Sequence, residues 1–64
     1  MKYYYESTVG PFTGLFGWKV YHYDETGNLE VVVQASQITF RTEEAALDAC
    51  ADWMEQQGVE AEMT

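Results

Sequence analysis

Sixty-four residues, 47% hydrophobic and 16% aromatic, suffice for one small domain near the lower size limit for folding without disulfides or metals. Eleven acidic residues against three basic ones (Lys2, Lys19, Arg41) give a formal net charge of -8, which argues against direct contact with nucleic acid or anionic membranes. One cysteine, Cys50, leaves no internal disulfide and points to a reducing, intracellular setting.

Taken in order, Lys2 to Thr8 (KYYYEST) is aromatic and β-favouring and reads as a first strand. Gly10, Pro11 and Gly14 then mark a loop. Its apolar residues, Val9 and Phe12, are expected to tuck under the loop rather than form a binding tip. Leu15 to Tyr23 (LFGWKVYHY) is the strongest strand signal. Phe16, Trp18, Val20 and His22 share one face, with Trp18 and Val20 expected to meet a helix. Asp24 to Asn28 is a hairpin turn in which Gly27 takes positive φ. Leu29 to Ser36 returns as a strand, with Leu29, Val31, Val33 and Ala35 alternating against Glu30, Val32 and Gln34. A short extended piece, Gln37 to Phe40, follows.

The helix runs from Thr42 to Gly58. Thr42 is its N-cap, Glu43 and Glu44 suit the dipole in the first turn, and Gly58 is a left-handed C-cap. Ala46, Leu47, Cys50, Trp53 and Met54 form the apolar stripe. The tail Val59 to Thr64 is short and acidic and is expected to fray. The fold class is therefore α+β: one domain spanning residues 1–64, an antiparallel three- to four-stranded meander with one C-terminal helix on one face.

Residues able to carry chemistry are few. His22 is the single histidine, and Cys50 sits mid-stripe, where a thiol behaves as a small hydrophobe. No CxxC, phosphate-cradling glycine loop or GxSxG elbow occurs. Asp24 and Glu25 offer only weak ligation for a hard cation, without an EF-hand pattern. The expectation is no enzyme, no metal and no cofactor.

The helix's outer face is unusual. Glu44, Asp48, Asp52 and Glu55 fall within an arc of roughly 80° at about 100° per residue, with no lysine or arginine in the segment. Glu44–Asp48 and Asp48–Asp52 are like-charge pairs at i,i+4, each costing about 0.2–0.5 kcal/mol. Carboxylates about 6 Å apart along one axis imitate backbone phosphates, so this row is the leading partner-binding surface. Asp24, Glu25 and Glu30 are added as further candidates, Glu60 and Glu62 as extensions. Tyr3, Tyr5, Tyr21 and Tyr23 would supply amphipathic contact area.

Two resemblances bear on this reading. Gly17-Trp18-Lys19-Val20, the turn at Gly27, and Phe40-Arg41-Thr42-Glu43-Glu44-Ala45 resemble the small bacterial ββα modules of YegP type over about residues 16 to 55. That resemblance implies a three-stranded sheet under one helix and no established chemistry. In overall character, a tiny, strongly acidic, single-domain chain is similar to phage-encoded inhibitors, notably anti-CRISPR proteins that mimic DNA. This implies a basic nucleic-acid-binding partner, such as a Cas effector subunit with its DNA- or PAM-recognition surface.

The expected protein is thus a monomeric acidic inhibitor that binds a basic protein. No segment resembles a signal peptide or a run of about 18 apolar residues. The expected location is the cytoplasm, that of the host cell if the protein is phage-encoded. The alternative is a YegP-like ββα module whose sheet or helix mediates self-association.

Overall fold

A computed structural model describes residues 2–64. Strands β1 (Tyr3–Val9), β2 (Phe16–Tyr23) and β3 (Glu30–Ala35) precede helix α1 (Glu43–Gln57), and a short strand β4 (Ala61–Met63) follows it. The sheet order is β3-β2-β1-β4. β1, β2 and β3 form the antiparallel meander, and β4 joins β1 in parallel, pairing Tyr3 with Ala61 and Tyr5 with Met63. The α+β two-layer arrangement is the one the sequence implies, but the fourth strand comes from a different place. Residues 37–40 contribute a single bridge, Phe40 to Phe16. The tail expected to fray instead caps the β1 edge, with Thr64 N–H donating to the Tyr5 carbonyl at 3.1 Å.

α1 lies across β1 and β2. Both caps form as their residue types dictate. The Thr42 hydroxyl accepts from Ala45 N–H at 3.1 Å, satisfying a donor the first turn leaves free. Gly58, at φ 68°, donates its N–H to the Glu55 carbonyl, while Val59 N–H donates to Met54 O at 2.9 Å. The apolar stripe then meets the sheet. Trp18, Val20 and Cys50 form the buried cluster, flanked by Tyr3, Tyr5, Phe40, Ala49, Trp53, Met54 and Val59. The Trp18 and Trp53 rings sit 5.6 Å apart, a separation at which aromatic pairs attract beyond their area burial.

The other sheet face has a small cluster of its own. Tyr21 is 3% exposed, stacked on Tyr4 and edge-on to Tyr23, both with centroids at 5.8 Å. Lys19 lies 5.1 Å from its ring centroid, and its hydroxyl hydrogen-bonds Thr64 Oγ1 at 2.9 Å. Burying aromatics on both faces spreads a small core over three layers of side chains.

A register shift in β3 corrects the simple alternation. Tyr21 pairs with Val32, but Val20 pairs with Gln34, so Val33 is the extra residue of a β-bulge. Gln34 therefore shares the face of Val20, and Ala35 the face of Lys19. Close by, Trp18 N–H donates to Ser36 Oγ at 3.1 Å. Gly17 makes this contact possible, because a Cβ there would stand 2.6 Å from Ser36 Oγ and 2.9 Å from Thr8 Oγ1. Gly17→Ala is expected to cost about 1–2 kcal/mol by displacing the acceptor of Trp18 N–H. A urea melt measures it, and an unchanged midpoint would contradict this account.

Candidate functional site

The helix row forms as a single surface. Glu44, Asp48, Asp52 and Glu55 are all exposed, on the side of α1 opposite buried Ala46 and Cys50. The last turn contains no basic residue, so nothing there favours the helix dipole and Glu55 opposes it.

Counter-charges lie elsewhere. Among the described residues, the ion pairs are Lys2–Glu62 at 3.1 Å, Lys19–Glu6 at 3.0 Å and Lys19–Glu30 at 2.7 Å. Lys19 is next to core-facing Val20 in β2 and therefore points away from the helix, taking Glu6 and Glu30 with it. The Glu30 hydrogen bond, followed by that to Glu6, raises the Lys19 pKa and keeps the ammonium charged. Both lysines thus neutralise acid on β1, β3 and β4. The carboxylates of α1 take part in none of these pairs. Charge is segregated, with a nearly balanced open sheet face and a strongly negative helix face.

The remaining candidates divide accordingly. Glu30 lies on the opposite face from the helix row and is engaged by Lys19. Asp24 builds the β2–β3 turn: its Oδ1 accepts from Thr26 Oγ1 at 2.7 Å, Asn28 N–H at 3.1 Å and Leu29 N–H at 3.3 Å. The Thr26 hydroxyl, followed by the backbone donors, holds its carboxyl below the ordinary value. Gly27, at φ 76°, completes the turn. Glu25 is exposed beside it. Glu62 is paired with Lys2, while Glu60 is exposed in the segment before β4.

The tyrosines need a different reading. Tyr3 and Tyr5 pack against the core under the helix, and Tyr21 is buried on the far face. Only Tyr23, 44% exposed, offers substantial contact area. Val9 and Phe12 differ in the other direction: they are 60% and 99% exposed rather than tucked under their loop. Gly10 N–H to Leu15 O at 2.9 Å, Gly14 N–H to Gly10 O at 3.0 Å, and Leu15 N–H to Thr13 Oγ1 at 3.2 Å close the loop. The phenyl ring is not needed to hold it.

His22 is half-buried, edge-on to Tyr3 at 5.8 Å. Its Nδ1–H donates to the Tyr23 carbonyl at 2.9 Å. Cys50 is fully buried, and burial pushes its thiol up to about 11. Because the folded value exceeds the unfolded one of about 8.5, the stabilisation is complete below that pH and lost as pH rises toward 11. At pH 7 a disulfide reagent such as DTNB should leave the native thiol unmodified and label it stoichiometrically in guanidinium. Rapid labelling of native protein would place Cys50 outside the core. Among the described residues, no group of three or more His, Cys, Asp or Glu is arranged to hold a metal ion. Among the same residues, no helix is long and apolar enough to cross a membrane.

Comparisons with protein-family models, curated proteins and solved structures find no match.

Proposed function

We propose that the protein is a DNA-mimicking inhibitor that occupies the basic nucleic-acid channel of a partner protein, of which a Cas effector complex is the type. The supporting observation is the charge segregation: Glu44, Asp48, Asp52 and Glu55 share one exposed helix face, while the paired lysines sit on the sheet side.

The row from Glu44 to Glu55 is about 16 Å long at 1.5 Å per residue. Its carboxylates recur about every 5 Å, against about 3.4 Å of axis per phosphate on one DNA strand. Helical backbone bonds fix the row, so little entropy is lost on docking. A surface of one sign also raises the encounter rate with a basic groove. Binding would release anions from the partner much as DNA does, and would weaken with salt.

The test is competition. Purified CRISPR effector complexes of several types are mixed with labelled target DNA, and the protein is titrated in while the mobility shift is followed. The expected result is loss of the DNA complex for at least one effector, with an inhibition constant that rises with added salt. Unchanged DNA binding across the panel at low salt would dispose of the proposal.

A further inference from the structure

We infer that β3 is a self-recognition edge, on which a second copy of this chain pairs antiparallel, β3 to β3 across a two-fold axis, joining two four-stranded sheets into one of eight. The inference is independent of the acidic helix and departs from the monomer expected from sequence.

β3 is the last strand on its side of the sheet. Asp24 N–H donates to Leu29 O, and Ser36 N–H to Trp18 O. Leu29 and, by alternation, Val31 therefore turn their backbone groups toward β2. Glu30 and Val32 direct theirs outward, where the chain supplies no strand to receive them. The side chains around them are apolar and open: Leu29 is 66% exposed, Val31 41%, Val32 49% and Val33 43%. α1 packs mainly on β2 and β1.

Edges are usually blunted by lysine, proline, a β-bulge or a covering element. β3 contains neither lysine nor proline, its bulge falls at Val33, the last residue of the proposed pairing, and its one carboxylate, Glu30, is drawn back onto Lys19 at 2.7 Å. The opposite edge is treated differently, since β4 is three residues long and Glu62 there is paired with Lys2.

Two features favour a second copy as the occupant. A two-fold axis at Val31 sets that residue against itself, Leu29 against Val33, and Glu30 against Val32 of the second copy. Outward backbone groups then meet outward backbone groups, and no like charges stand directly opposite, a pairing that would destabilise. The second feature is charge. With a net charge of -8 per chain, two copies approach best where acid is sparse, and the helix carboxylates lie away from β3. Directly opposed residues share a sheet face, so both helices stand on the same side of the joined sheet.

Sedimentation velocity in reducing buffer tests the pairing. Five residues per strand make an interface well below the standard size of about 1,600 Å², so assembly is expected between roughly 10 µM and 1 mM. Across that range the mass of the wild type should climb from 7.3 kDa toward twice that value. Val32→Pro removes an outward N–H and no bond to β2, and should stay at the monomer mass with an unchanged circular dichroism spectrum. Should that variant fail to fold, Val31→Lys places like charges at the axis and should likewise remain monomeric. Asp48→Lys/Asp52→Lys should assemble as the wild type does, whatever its effect on DNA competition. A wild type that stays monomeric to about 1 mM, or a folded β3 variant that assembles like the wild type, overturns the inference.

Discussion

Reversing Asp48 and Asp52 together to lysine should raise the melting temperature while removing inhibition of the partner. The change turns Glu44–Asp48 from a like-charge into an opposite-charge pair, in the order that suits the helix dipole. Asp52 with Glu55, three residues on, also becomes an opposite-charge pair, in the less favourable order. Lysine is also the better helix former. Against this, positions 48 and 52 still repel each other. The net gain is about 1–2 kcal/mol, or about 5–10 °C in Tm for a domain of this size. Inhibition should weaken about 100-fold, because two lysines would face the partner's own cations, and opposed like charges cost several kcal/mol. Calorimetry and the DNA competition read the two effects separately. A variant that inhibits as well as the wild type would show that the helix row is not the contact surface. An unchanged Tm would show that the row carries no strain.

Trp18→Ala is expected to leave the chain largely unfolded at 25 °C. Trp18 is 6% exposed and packs with Val20, Cys50 and Trp53. Truncating a buried tryptophan to alanine costs about 3–5 kcal/mol. A 64-residue domain has only about 3–10 kcal/mol in total, and among the described residues the buried hydrophobic ones are few: Trp18, Val20, Tyr21, Ala46 and Cys50. Trp18→Phe keeps most of the volume and should fold with a lowered Tm. Near-ultraviolet circular dichroism and amide dispersion in proton NMR spectra report the outcome. A native-like spectrum for the alanine variant would mean that the core lies elsewhere.

The parts of the fold readable from sequence were those decided locally. Thr42 and Gly58 act through bonds to residues three or four positions away, and the alternation of β2 puts Trp18 and Val20 on the face of α1. The parts that were not readable depend on distant partners. Three residues, Ala61–Met63, give almost no strand signal, and their pairing is set by β1 at the other end of the chain. Three consecutive valines hid the bulge at Val33, because no polar residue marks the slip. The same holds for the candidate site. The helix row followed from 3.6-residue periodicity, whereas the engagement of Glu30 by Lys19 required the β2–β3 register. Phe12 stands exposed because the loop is closed by its backbone bonds and the Thr13 hydroxyl, which its composition does not reveal.

The seam between β1 and β4 also sets an order of events. Its bonds join residues at nearly the full separation the chain allows, from Tyr3 with Ala61 to Tyr5 with Thr64, while the β2–β3 hairpin closes over a short turn. Loop-closure entropy places the hairpin early and this seam last. A three-residue strand returns little free energy for closing so long a loop, so the seam is also the first part to open. Tyr21 loses its hydroxyl partner Thr64 when it does. The far-face tyrosine cluster therefore reports, through its rings, on an opening that begins at the opposite edge of the sheet.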